Sequence, residues 1–138
     1  MARLGRVLVT ANTRTVGGRD GVARSSDGRL DIRLSSPGTP GSGTTPEQLF
    51  AVAWSASFIS VMKLEAKKMK LDFSADPAIE AELSLRTVRG AYRLQARLKI
   101  TAPGVEPHAA RRLVEATHGV CPYSVATRGN IDVALNLA

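Results

Sequence analysis

Residues 119–130 read Gly119-Val120-Cys121-Pro122-Tyr123-Ser124-Val125-Ala126-Thr127-Arg128-Gly129-Asn130 and hold the only cysteine of the 138-residue chain. Proline suits the first position of a helix and glycine the position just past its end, so Pro122 and Gly129 predict a short helix over residues 122–128. Cys121 is then the N-cap. We expect its sulfur to lie against unpaired N–H groups and the positive end of the helix dipole, which favours a reactive thiolate. The alternative is an inert, buried cysteine that acts as a small apolar residue.

A second stretch, Thr45-Pro46-Glu47-Gln48-Leu49-Phe50-Ala51, predicts the start of a long helix. Thr45 can cap it, Pro46 fits its first turn, and Gln48 completes a capping box. Residues 48–62 carry no charge, and apolar side chains cover every side, so we expect the helix to be buried on most faces. By length and by its serines it is too short and too interrupted for a membrane span.

Alternating apolar and polar residues and turn-forming residues predict the rest of the chain. Strands are expected at residues 4–13, 30–34, 79–87, 92–101 and 131–137. Between them we expect a glycine-rich turn at 15–21, an irregular connection at 35–45, a hairpin turn at 89–91 and a helix that begins at Pro107. The sequence thus predicts a single domain over residues 1–138.

Composition narrows the class of protein. A hydrophobic fraction of 43% is typical of a globular domain, and one cysteine excludes an intramolecular disulfide, which agrees with a reducing compartment. The N-terminus, residues 1–6, lacks the apolar stretch of a secretory signal, so we expect a cytoplasmic protein that does not bind membranes. Cysteine and histidine are too scarce for a zinc site, and we expect no metal and no cofactor.

The net charge of +7 and the pI near 10.3 raise the alternative of a nucleic-acid-binding protein. The basic residues are scattered, however, and few aromatic residues are present to stack on bases. No helix-turn-helix or related motif occurs. We therefore expect a basic, solvated surface and no nucleic-acid partner.

Three segments carry a resemblance to a known family: Val16-Gly17-Gly18-Arg19-Asp20-Gly21, Thr45 to Ala51, and Cys121 to Ile131. With these segments, and with the order of its elements from end to end, the chain resembles the organic hydroperoxide resistance (Ohr) branch of the OsmC/Ohr superfamily, small bacterial thiol peroxidases. The resemblance implies an α+β fold with antiparallel sheets around a buried central helix. It also implies an intertwined homodimer with active sites at the subunit interface.

The resemblance further implies a mechanism and its partners. In the family, a cysteine on the central helix attacks an organic hydroperoxide. The sulfur takes one oxygen and becomes a sulfenic acid, and the rest of the substrate leaves as an alcohol. The cysteine of the Cys-Pro-Tyr-Ser motif, at Cys121 in this chain, then forms a disulfide with it. Dihydrolipoyl groups on a partner protein reduce the disulfide. Such an enzyme defends the cell against oxidative stress.

The chain departs from this pattern at Ser57, in Trp54-Ser55-Ala56-Ser57-Phe58, where the resemblance places the attacking cysteine. A serine oxygen cannot pass through sulfenic acid and disulfide, so we expect no turnover by the family mechanism. Two explanations remain open: an engineered Cys-to-Ser change, or a natural paralogue that lost or changed the activity. Without the resemblance, Ser57 would be interpreted as a helix serine that donates back to its own helix backbone.

The resemblance assigns roles to two further residues. Arg19 would stabilise the attacking thiolate and hold the peroxide oxygens, and Glu47 would pair with Arg19 and fix its direction. The alternatives are a solvated turn arginine and a glutamate that only favours the helix dipole. Two functions follow: a peroxidase of the Ohr type, inactive or altered through Ser57, or a non-catalytic binding or redox-sensing protein in which Cys121 acts alone.

Overall fold

The computed structural model describes residues Gly5–Ala138, which form two compact units. The first unit ends at Pro46, and the second is Glu47–Ala138. The first contains a small sheet with strands β1 (Thr13–Val16), β2 (Val22–Ser25) and β3 (Asp31–Arg33), all antiparallel and in that order.

The connections of the first unit agree with the sequence analysis in part, because Thr15 and Val16 of the expected turn belong to β1 and strand β2 was not predicted. The glycine-rich turn contains a 3₁₀ helix, Gly18–Asp20, which joins β1 to β2. After β3 the chain is irregular, apart from an isolated parallel bridge between Leu34 and Thr44. The expected strand at 30–34 and the expected connection at 35–45 are therefore confirmed.

The strand expected at residues 4–13 is wrong over residues 5–12, because regular structure begins only at Thr13. Leu4 lies outside the described residues. Val7, Leu8 and Val9 are 74%, 82% and 87% exposed. Apolar and β-branched residues form a strand only where a neighbouring strand completes the hydrogen bonds, and no strand within residues 5–138 pairs with this segment.

The second unit begins with a long helix and continues as a sheet with two shorter helices. Its elements are α1 (Pro46–Lys68), β4 (Ala78–Val88), β5 (Ala91–Thr101), α2 (Pro107–Val120), α3 (Pro122–Thr127) and β6 (Asp132–Leu137). β4 and β5 form an antiparallel hairpin. Arg89 and Gly90 form its turn with φ values of 51° and 80°, as a tight hairpin with right-handed strand twist requires.

The last strand corrects the expectation of purely antiparallel sheets. β6 pairs with β5 in parallel, and the sheet order is β4-β5-β6. A parallel neighbour needs a long crossover, and helices α2 and α3 provide it between β5 and β6. The α+β class and the predicted elements from Pro46 to Leu137 are otherwise confirmed.

One stripe of α1 lies in the core of the second unit. Trp54, Phe58, Met62 and Ala66 are buried at intervals of four residues, as one face of a helix requires. They form a cluster with Ala96, Leu98 and Ile100 of β5 and with Leu113 and Val114 of α2. The expectation that most faces of α1 are buried is wrong within this chain, since Val52 and Leu64 are 68% and 61% exposed. The second unit offers packing partners to one side of the helix.

The expectation that α1 is too short for a membrane span is also corrected. In the part of the chain that the structure describes, α1 is long and apolar enough to cross a membrane by length and composition alone. Core helices of globular proteins share these properties. The buried stripe on Trp54, Phe58 and Met62 assigns one side of α1 to the protein core.

Candidate active site

Cys121 lies at the junction of two helices. It is the last cap of α2, where its N–H donates to the carbonyl of Thr117 over 2.8 Å, and the N-cap of α3, where its carbonyl accepts from the N–H of Val125 over 2.9 Å. The predicted N-cap position is therefore confirmed. The sulfur itself accepts no capping hydrogen bond from α3, contrary to our expectation.

The burial of Cys121 contradicts the expectation of a reactive thiolate at this position. Cys121 is 0% exposed and belongs to the core cluster that also contains Trp54 and Phe58. A buried thiol in apolar surroundings reacts slowly, because reagents reach it only when the structure opens. Within this chain the surroundings of Cys121 are those of the inert, apolar alternative, and any reaction needs movement at the α2–α3 junction.

A buried hydrogen bond fastens α1 to α3. Trp54 donates from Nε1 to Oγ of Ser124 over 3.3 Å, and both residues are 0% exposed. The ring of Phe50 packs edge-on against the rings of Trp54 and Tyr123, with centroid distances of 5.9 and 6.1 Å. Aromatic packing therefore also connects α1 to α3. Trp54 lies one turn before Ser57, and Ser124 lies three residues after Cys121. The contact therefore joins the two segments that carry these candidate site residues.

Ser57 is half-buried between the buried residues Trp54 and Phe58 of α1. Its hydroxyl forms no hydrogen bond to any residue in the range 5–138, whereas Thr117 and Thr127 donate to the carbonyls four residues earlier over 2.7 and 2.8 Å. The alternative of a serine bonded to its own helix backbone is thus wrong for Ser57. Its oxygen is not committed to the helix.

The two remaining candidates lie on different units. Glu47 is half-buried in the first turn of α1, where a carboxylate favours the helix dipole. Arg19 is exposed at the centre of the 3₁₀ helix in the first unit. Segments bearing Ser57 and Cys121 are thus held together within the second unit, which also contains Glu47. Among the described residues, no three His, Cys, Asp or Glu side chains cluster so as to hold a metal ion.

Comparison with known proteins gives the family. Residues 38–136 match the OsmC-like protein family. The organic hydroperoxide resistance protein of Xanthomonas axonopodis pv. citri (strain 306) is 44% identical over 142 residues, with 100% of both chains covered. This chain belongs to the OsmC/Ohr family.

Solved structures agree with the OsmC/Ohr assignment. The crystal structure of the organic hydroperoxide resistance protein OhrB of Bacillus subtilis has a TM-score of 0.89 at 36% identity, and the match covers 96% of this chain and 100% of that one. An organic hydroperoxide resistance protein from Legionella pneumophila gives the same score and identity over 96% and 99% of the two chains. The OsmC/Ohr fold is therefore the fold of this chain.

Two features near the candidate site of this OsmC/Ohr chain were not predicted. The Trp54 and Ser124 pair could not be derived, because 70 residues separate the partners. His118, half-buried in the last turn of α2, has a buried Nδ1 without a hydrogen-bond partner among the described residues. Burial, and secondarily the charge of Arg128, lowers the pKa of His118. In the sequence, the only indication of His118 was its position one helical turn before Cys121.

Proposed function

We propose that this chain is an organic hydroperoxide reductase of the Ohr type whose first step is blocked, because Ser57 occupies the position of the attacking thiol. The names of its relatives support the reaction class. The observation that carries the proposal is the buried Trp54 and Ser124 contact, which joins the segments of Ser57 and Cys121. A two-thiol mechanism needs these two segments to be neighbours.

The chemistry explains why serine blocks the cycle. A thiolate at position 57 would attack the outer oxygen of the hydroperoxide, the O–O bond would break, and the alkoxide would leave with a proton as the alcohol. The resulting sulfenic acid would lose its hydroxyl as water when the Cys121 thiolate forms the disulfide. Two electrons from a dithiol, such as a dihydrolipoyl group, would restore both thiols. A serine oxygen has no stable oxidised form to carry these electrons.

Arg19 and Glu47 complete the proposal. Arg19 carries a permanent positive charge on a planar fork, which suits a thiolate and a peroxide oxygen at the same time. By the resemblance to the family, Glu47 would pair with Arg19 and fix its direction. Phe50, which contacts both Trp54 and Tyr123, offers an apolar surface for the organic part of the substrate.

We further propose that two chains form an intertwined homodimer in the cytoplasm. The exposed residues Val7, Leu8 and Val9, together with Val52 and Leu64 on the outer side of α1, support this proposal. A second copy would cover these apolar side chains and would supply a strand partner to the N-terminal segment. The active sites would then lie at the subunit interface.

The direct test is Ser57→Cys, assayed with cumene hydroperoxide and dihydrolipoamide. We expect no turnover by the unaltered chain and a kcat/KM of at least about 10⁴ M⁻¹s⁻¹ for the variant. Ser60→Cys is the matched control, because Ser60 is an exposed serine of the same helix. In Ser57→Cys combined with Cys121→Ser, mass spectrometry should find oxidised sulfur and no disulfide. An inert Ser57→Cys variant that folds normally would refute the peroxidase proposal.

A second candidate is a non-catalytic protein that binds hydroperoxides. The uncommitted hydroxyl of Ser57 favours it, since this group can donate a hydrogen bond to a peroxide without reacting. Calorimetric titration of the unaltered chain with cumene hydroperoxide tests this function. Binding together with an inert Ser57→Cys variant would select it, and mass spectrometry after the titration would show whether Cys121 alone gains oxygen as a redox sensor.

A further inference from the structure

The turn that carries Arg19 has an unusual backbone. Gly17 and Gly18 adopt left-handed φ values of 84° and 64°, and the 3₁₀ helix is closed by a hydrogen bond of 3.1 Å from the N–H of Gly21 to the carbonyl of Gly18. A Cβ atom at Gly21 would overlap the carbonyl of Val16. Glycine-rich backbone has many accessible conformations, and short 3₁₀ helices have weak hydrogen-bond geometry. A bond from such a turn to another segment therefore favours one of its conformations.

Asp20 provides a contact to a distant segment. Its Oδ1 accepts from the N–H of Ser36 over 2.9 Å, and its Oδ2 accepts from the hydroxyl of Ser36 over 2.8 Å. The backbone bond first, and then the hydroxyl bond, hold the pKa of Asp20 below its ordinary value, so the carboxylate stays charged at neutral pH. A second link follows at Gly21, whose carbonyl accepts from the N–H of Leu34 over 2.9 Å. The turn is thus tied to the segment after β3.

We propose that Asp20 is the positioning residue for Arg19, because its two bonds to Ser36 hold the 3₁₀ turn and so fix the point from which the arginine side chain extends. The inference rests on the proposed function in that Arg19 acts on the group at position 57. Arg19 and Asp20 are adjacent in the same 3₁₀ helix, so the carboxylate that is fixed at Ser36 constrains the arginine backbone directly. Ordering a catalytic group before the substrate arrives is what makes its charge effective.

Asp27 is a matched control within the same unit. Its Oδ1 accepts from the hydroxyl of Ser25 over 2.6 Å and from the N–H of Arg29 over 3.0 Å. The bond from Ser25 first, and then the bond from Arg29, lower its pKa as well. Both aspartates are therefore exposed carboxylates with one hydroxyl and one backbone donor. Asp27 differs because its partners lie two residues away, in the β2–β3 turn.

Hydrogen exchange of the unaltered chain and its variants tests the anchor itself. With Asp20→Ala we expect exchange at residues 18–21 to rise roughly tenfold, while exchange at residues 25–30 stays unchanged. Ser36→Ala should give a smaller rise, because the N–H of residue 36 still donates to Asp20. Asp27→Ala should give the reverse pattern. Unchanged exchange at residues 18–21 in a folded Asp20→Ala variant would overturn the proposal.

The pH profile of alkylation tests the link to Arg19. In the Ser57→Cys background, peptide mass spectrometry can follow iodoacetamide at position 57 separately from Cys121. Arg19→Gln should move the profile up by about one pH unit or more, since the proposed function has the positive charge of Arg19 stabilise this thiolate. Asp20→Ala should reproduce at least about half of that shift, and Asp27→Ala should not.

The outcomes separate the two proposals. A shift with Arg19→Gln but none with Asp20→Ala would overturn the positioning role and leave the proposed function standing. No shift with Arg19→Gln would contradict the proposed function of Arg19. In that case the hydrogen-exchange data alone would show whether Asp20 holds the 3₁₀ turn.

Discussion

Trp54 and Ser124 share a hydrogen bond of 3.3 Å in a fully buried site, where the indole N–H donates to the hydroxyl. Both groups would otherwise be buried without a partner, which is unfavourable in an apolar core. The bond therefore fixes which turn of α1 lies against α3. Because Ser57 and Cys121 belong to the same two segments, this contact sets the framework of the candidate site.

Removal of the acceptor should destabilise the protein. Ser124→Ala leaves the indole N–H of Trp54 unpaired, so the free energy of unfolding should fall by about 1–3 kcal/mol in chemical denaturation. Trp54→Phe removes the donor and some volume, and combination of both changes should reveal a coupling energy of about 1 kcal/mol. Ser60→Ala, at an exposed site of α1, should change stability by less than about 0.5 kcal/mol. Strictly additive effects of the two changes would mean that the bond contributes nothing.

Cys121 should be protected from alkylation in the native protein. Its thiol is 0% exposed, so iodoacetamide should react at least about a hundredfold more slowly than in denaturant, which corresponds to an opening free energy of about 3 kcal/mol. The comparison is a variant with Cys121→Ser and Ser60→Cys, whose thiol is exposed. Equal rates for the two native proteins would show that the α2–α3 junction opens readily.

His118 should make stability depend on pH. Burial, and then Arg128, lowers its pKa below the ordinary 6.5, so the unfolded chain binds the proton more readily than the folded chain. Stability should therefore be complete above about pH 6.5 and should fall as the pH drops through that value toward the lower folded pKa. His118→Gln should flatten this part of the curve of unfolding free energy against pH. His108→Gln, at an exposed position of the same helix, should leave the slope intact. If the two variants give the same slope, His118 is not responsible for it.

The proposed homodimer should depend on the outer side of α1. Val52 is 68% exposed within one chain, and Val52→Lys would bring a charge into an interface that covers it. We expect light scattering to show a shift toward the monomer. Val88→Lys is the control, because Val88 is 51% exposed at the end of the β4–β5 hairpin. A dimer that tolerates Val52→Lys would place the interface elsewhere.

Local sequence signals predicted the elements of the second unit well. Pro46 and Pro107 mark the first residues of α1 and α2, and Arg89-Gly90 forms the predicted turn between two strands of strict alternation. These signals work because steric restriction of the backbone is a property of neighbouring residues. The strand predicted for residues 5–12 is absent, because a strand forms only where a neighbouring strand accepts and donates its hydrogen bonds. The apolar pattern of one segment does not show whether such a neighbour exists.

The candidate site was predicted in part. The capping position of Cys121 followed from Pro122, whereas its burial depended on the packing of α1, α2 and β5 around it. The free hydroxyl of Ser57 also could not be predicted, since threonines elsewhere in the chain do bond to their helix carbonyls. The roles of Arg19 and Glu47 remain predictions.

The sequence by itself indicated the family, the order of the elements from α1 to β6 and, as a prediction, the replacement of an expected cysteine by Ser57. It could do so because motifs and capping residues act over a few positions. Tertiary structure alone decided the burial of Cys121, the parallel pairing of β6 with β5, and the contacts of Trp54 with Ser124 and of Asp20 with Ser36. Each of these features depends on residues that lie far apart in the chain. Their proximity depends on how the helices and strands pack, and no local pattern encodes it.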